Sequence, residues 1–151
     1  AEIVQQRVAL YRSAHAEHHA HPATGADPDY HDGEHTGPVR WYLRFVGHYL
    51  TWRQMIVMAA AYNVLAHVLH VAEWRLVLFW VVPVVLSTIQ LFVFGTYLPH
   101  RQGPPPYAAV SSNRPRWLSL LACFHFDYHR EHHALPHLAW WQLPAARWGA
   151  S

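Results

Sequence analysis

The sequence predicts an all-α membrane protein: a transmembrane helical hairpin that carries histidine-rich helices on one face. Three observations predict it. Leu76 to Pro99 runs about 24 residues without a charge, long enough to cross a bilayer. Two copies of an H-x-x-H-H spacing flank the apolar region, at His15-Ala-Glu-His18-His19 and His129-Arg-Glu-His132-His133. Hydrophobic residues make up 52% of the chain and charged residues only 13%, too few charges for an ordinary soluble surface.

Composition narrows the function. All 11 basic residues are arginine and the net charge is +2, so the dense basic patch of a nucleic-acid binder is missing. Cys123 is the single cysteine, which excludes an intrachain disulfide and a thiolate metal site. Length allows one domain over 1–151. The chain opens Ala-Glu-Ile-Val, with no Met and no signal-like stretch, so the expectation is the C-terminal part of a longer protein.

Taken in order, residues 3–14 read as a helix running into the first cluster. His15, His18 and His19 stand at i, i+3 and i+4, one helical face. His21-Pro22 stops that helix. Residues 22–39 are rich in Pro, Gly, Asp and His and read as a loop. Residues 40–53 mix aromatics with arginine (Trp41, Tyr42, Arg44, Tyr49, Trp52, Arg53), as suits a membrane interface. Met55 to Ala72 reads as a weaker first span, with His67 and His70 expected to hydrogen-bond between helices. Glu73-Trp74-Arg75 reads as the turn. Leu76 to Pro99 then extends about 34 Å as a helix, with Pro83 a candidate kink. Ten of the arginines lie outside the hairpin and only Arg75 lies in its turn, which orients both ends to the cytoplasm. Residues 103–116 read as a loop, and Trp117 to Phe124 as a short apolar segment. In His125-Phe-Asp-Tyr-His129-Arg-Glu-His132-His133 a single helix puts all four histidines on one stripe.

The hairpin returns His100 to the face that carries both clusters, so seven imidazoles converge there. Neutral imidazole is the commonest metal ligand, and burying unpaired imidazoles is otherwise costly. Seven histidines exceed one tetrahedral site and point to two metals. H-E-x-x-H is absent, which argues against hydrolytic zinc, and no Glu-x-x-His pair supports a carboxylate-bridged site. Iron, copper and zinc all accept imidazole, so spacing alone does not name the metal.

Several longer stretches carry a resemblance: His15-Ala-Glu-His-His-Ala-His-Pro-Ala-Thr24, Asp27-Pro-Asp-Tyr-His31, Phe92-Val-Phe-Gly-Thr-Tyr-Leu-Pro-His-Arg101, Leu118 to His133, and Trp140-Trp-Gln-Leu-Pro144. With them the chain resembles the integral-membrane fatty-acid desaturase/hydroxylase superfamily, and within it the bacterial-type β-carotene ketolases. The resemblance implies two non-haem irons, with His15, His18, His19, His100, His129, His132 and His133 as metal ligands. It implies supporting positions behind the ligands for His125, Asp27 and Asp29, and no catalytic group beyond the ligands. The family's first motif, H-D-x-x-H, would precede residue 1; His31-Asp-Gly-Glu-His35 imitates its letters in a variable loop and is read as a decoy.

The implied activity is a β-carotene 4-ketolase: O2-dependent hydroxylation twice at ring C4, then loss of water to the ketone. The implied electron source is a ferredoxin with its NAD(P)H reductase, and the implied location is the bacterial inner membrane, multi-pass, with the histidines on the cytoplasmic side. Membrane lipid is the expected surrounding and nucleic acid is not a partner. A carotenoid hydroxylase or acyl desaturase of the same superfamily is the sibling alternative. A His-rich membrane metal-binding or transport protein is the non-enzyme alternative, and the scarcity of polar residues between Leu76 and Pro99 weighs against it.

Overall fold

A computed structural model describes residues 2–31, 33–34, 36–104 and 107–147. Among them there are helices and loops and no strand. Helix α1 (Glu2–Ala20) ends where His21-Pro22 forbids another turn. Helix α2 (Pro38–Tyr49) starts with a proline, whose missing N–H costs nothing at that position. Helix α3 (Trp52–Asn63) begins with a capping box, in which Thr51 and Gln54 bond each other's backbone N–H, and continues through wide π-type turns at Val64–Val68.

Helix α4 spans Glu73–His100 and is long and apolar enough to cross a membrane, by length and composition. Pro83 does not break it. Wide turns at Val77–Val81 precede the proline, and Val82 N–H donates to the Val77 carbonyl, which absorbs the ring's clash with the preceding turn. Three short helices follow: α5 (Arg116–Cys123), α6 (His129–Ala134) and α7 (Leu143–Ala146).

The hairpin forms, but its turn is displaced from the expected position. Leu69 to Ala72 make the reversal, with His70 at φ 52° in the left-handed region. Glu73, Trp74 and Arg75 instead form the first turn of α4, where an acidic residue favours the positive end of the helix dipole. His67 and His70 are exposed, and neither bonds across the hairpin among the described residues, contrary to expectation. The two arms meet at Tyr62 and Trp80, whose ring centroids lie 6.4 Å apart.

Helix α2 packs on the C-terminal end of α4. Trp41, Phe45 and Phe92 form the buried core there, with Tyr42, Tyr49 and Tyr97 packed around them. Trp41 is therefore a core residue and not an interfacial anchor; its Nε1–H donates to the Asp29 carbonyl at 2.7 Å. This packing holds the loop after α1 against the end of α4, and so brings the first histidine cluster to His100.

The single histidine stripe is also corrected. Phe124 and His125 both have positive φ, 50° and 65°, so the chain reverses and α6 begins only at His129. The His125 ring is drawn off to Ser119, 2.8 Å from Nδ1, and packs on Tyr128 and Trp140.

Candidate metal centre

Helices α1, α4 and α6 deliver the histidines. His18, His100, His129 and His133 form one group, all buried; His15, His19 and His132 form a second, half-buried group beside it. In the first, Nε2 atoms lie 3.1 Å apart for His18 and His133, 2.9 Å for His100 and His129, and 3.2 Å for His133 and His129. In the second, the three Nε2 atoms form a triangle with sides of 3.1, 3.2 and 3.0 Å. All seven residues expected from the sequence meet here.

Such convergence fits a cation. Metal–imidazole bonds of about 2.0–2.1 Å set neighbouring ligand nitrogens about 2.8–3.4 Å apart, the octahedral to tetrahedral range. Three neutral imidazoles whose Nε2 atoms face one another cannot all pair, because each Nε2 is either donor or acceptor and two of the three must be alike. His129 Nδ1 is a buried polar atom with no partner among the described residues, a cost that a cation at Nε2 would offset.

The back sides of two rings are anchored. His18 Nδ1–H donates to Asp27, 2.9 Å from both carboxylate oxygens. His100 Nδ1–H donates to the Ala108 carbonyl at 2.7 Å. Each bond leaves the Nε2 lone pair facing inward. Gly103 makes the second anchor possible: a Cβ there would sit 2.0 Å from the Ala108 carbonyl.

Electrostatics favour neutral ligands. Burial, then the neighbouring imidazoles, lower His19 to about 3 and push His129 and His133 well below the usual range. Burial, then His15 and His18, lower His132 to about 4. Burial raises Asp27, but the His18 bond and the Ala23 and Asp29 backbone N–H groups outweigh it and leave the carboxyl lowered, an anion facing His18.

Asp29 lies farther out. Tyr49 O–H donates to its Oδ1 at 2.5 Å, and burial holds its carboxyl above the usual range. Tyr11 stacks on His15 with centroids 5.8 Å apart. His125 bonds none of the seven histidines. With Asp127 it converges on Ser119, and Asp127 also holds Ser112 and lies near Arg114. Glu131 of α6 accepts from Ser111 and lies 3.9 Å from Arg147. This network was not read from the sequence; its only signal was acidic residues among the histidines. His31 belongs to neither histidine group, and its ring is tilted against Tyr30 and edge-on to Trp41, while Asp32 and His35 of the imitation motif lie outside the described residues.

A cavity of about 290 Å³ opens beside the centre. His15, His18, His129, Asp29 and Tyr49 form its polar end, and Phe45, Leu50, Leu91, Gly95 and Phe126 its apolar walls.

Helices that gather seven histidines into two adjacent groups beside an apolar cavity define a polyhistidine, candidate metal-binding helical protein. The profile of the fatty acid desaturase family matches residues 48–150, and the chain belongs to that family. It is similar to a β-carotene ketolase of Paracoccus sp. (strain N81106 / MBIC 01143), 47% identical over 138 residues, covering 88% of this chain and 55% of the relative. A β-carotene 4-ketolase 3 of Haematococcus lacustris is 39% identical over 143 residues, covering 88% and 44%. A zeaxanthin 4-ketolase of Chlamydomonas reinhardtii is 36% identical over 140 residues, covering 88% and 31%. The chain spans about half the length of the Paracoccus relative. No solved structure matches it.

Proposed function

We propose that this chain is the metal-binding portion of a membrane carotenoid 4-ketolase, acting on β-carotene with O2 and external electrons. The observation that carries the reading is the pair of histidine groups opening onto an apolar cavity. Ketolases at up to 47% identity supply the substrate class.

His18, His100, His129 and His133 would hold one iron; His15, His19 and His132 would hold the second. Bound there, the irons supply O2 activation for oxidising a C–H bond. The chain's own residues do the rest. Asp27 and the Ala108 carbonyl orient the rings of His18 and His100. Phe45, Leu91 and Phe126 exclude water and receive a hydrocarbon ring. Gly95 leaves room for it between Leu91 and Phe126, whose side chains lie 3.5 and 3.9 Å from where a Cβ would stand. Asp29 orders the loop that carries Asp27, through Tyr49.

Helix α4, and α3 beside it, would cross the bilayer, with both histidine groups at the cytoplasmic side. That setting suits a substrate that partitions into lipid. A ferredoxin-type donor fits the absence of any flavin, haem or iron–sulfur motif in this chain.

The test replaces the matching half of the Paracoccus ketolase with this chain, in bacteria that make β-carotene. A 4-keto pigment, abolished by His132→Ala, is the expected result. Unchanged β-carotene with the chimera present and iron-loaded overturns the reading. A hydroxylated ring without ketone moves it to the sibling hydroxylases.

A further inference from the structure

A ring seated beside the histidines leaves the rest of a carotenoid to be accommodated. The molecule is a rigid conjugated rod about as long as the hydrocarbon core is thick, about 30 Å. It cannot coil inside a 290 Å³ cavity. A straight path must leave that cavity.

The hairpin supplies one. The cavity's walls on the hairpin are Gln54 of α3 and Thr88, Leu91, Gly95 and Thr96 of α4. A second, apolar groove of about 400 Å³ lies farther along the hairpin, lined by Met58, Ala59 and Tyr62 on α3 and by Trp80 and Val84 on α4, among others. Positions 54, 58 and 62 are spaced by four, one stripe of α3. Positions 80, 84, 88, 91 and 95 are spaced by three and four, one stripe of α4. The two spaces are therefore consecutive stretches of the same seam, one helical turn apart. From Trp80 to Gly95 the seam measures about 22 Å at 1.5 Å per residue.

Two of its polar side chains are already engaged. Asn63 Nδ2 donates to the Ala59 carbonyl at 2.8 Å, and Thr88 Oγ1 lies 2.9 Å from the Tyr42 hydroxyl. Met58 and Val84 remain about 40% exposed, so an apolar rod laid there removes open apolar surface. Tyr62 and Trp80 sit at the far end with rings tilted 35° to each other, a place for the distal ring.

We propose that the seam between α3 and α4 is the binding track for the polyene of the carotenoid, running from the histidine centre to Tyr62 and Trp80. The track rests on the ketolase reading above.

The test embeds the chain in lipid nanodiscs and titrates β-carotene, reading induced circular dichroism in its visible band, which the achiral pigment lacks when free. Ala59→Trp and Val84→Trp fill the seam and are expected to weaken binding at least about tenfold, as overfilled packing does. Phe79→Trp changes an outward ring, 72% exposed, and should leave binding unchanged. Cobalt(II) absorption at the histidines verifies that each variant is folded. If both seam variants bind β-carotene as the unsubstituted chain does, the track is wrong and the ketolase reading stands. If the unsubstituted chain loads cobalt but never induces dichroism, the carotenoid reading falls and the track with it.

Discussion

Asp27 grips His18 from behind: both carboxylate oxygens lie 2.9 Å from Nδ1, while Nε2 of the same ring lies 3.1 Å from Nε2 of His133. The carboxylate thereby selects the tautomer whose lone pair faces the centre. Asp27→Asn keeps the shape and removes the charge. The expected outcome is a fall of about 10–100-fold in metal affinity at the four-histidine group, measured by competition with a chelator.

Gly103→Ala tests the other anchor. A methyl at that position overlaps the Ala108 carbonyl and pushes it off His100 Nδ1. Cobalt(II) titration should then show the four-histidine group weakened about tenfold, with the His15, His19 and His132 group unchanged. Equal weakening of both groups would refute a local role.

The metal-free chain should be acid-sensitive. His19 and His132 are lowered to about 3 and 4, by burial first and then by their neighbours. In the unfolded chain they titrate near about 6.5. Below about pH 6.5 the unfolded state therefore binds more protons than the folded state, and stability falls until the folded pKa values are reached. Thermal midpoints recorded with chelator should drop steadily between about pH 6.5 and 4. A flat profile over that window contradicts the burial of these rings.

Asp127→Ala removes the shared partner of Ser119, Ser112 and Arg114. The loss takes the carboxylate acceptor from the buried Ser119 and the half-buried Ser112 hydroxyls and frees the loop that launches α6. A destabilisation of about 2–4 kcal/mol is expected by denaturant titration in detergent. Asp127→Asn, which keeps an acceptor, should recover part of it.

Gly95 separates volume from fold. A single methyl meets only ordinary contacts, so Gly95→Ala should preserve metal content and pigment conversion in the chimera. Gly95→Leu intrudes on the cavity and should lower conversion at least about tenfold with metal content unchanged.

Much of this was legible in the sequence because helical spacing and charge-free length are strong signals. The i, i+3, i+4 pattern at His15, His18 and His19 put three imidazoles on one face, and the run to Pro99 led to His100. What the sequence hid depends on backbone sign and distant packing. Positive φ is uncommon outside glycine, at Phe124 above all, so His125 looked continuous with α6. The turn slipped to Leu69–Ala72 because Glu73 prefers a helix start. The Ser119–Asp127 network joins residues whose partnership exists only once that reversal is made.

Six of the seven histidines come from stretches far apart in the chain: His15 meets His132 across 117 positions, and His18 meets His133 across 115. An ion held between them would be a cross-link that ties α1 to α6, as a long-range disulfide would, and closing so large a loop would restrict the unfolded chain strongly. The buried aromatic cluster lies around Trp41, and among the described side chains of α1 the one buried apolar residue is Ala14. Helix α1 is thus held as much by its histidines as by packing. Supplied as a separate peptide, it should rejoin the remainder of the chain when metal is added and leave when a chelator removes it.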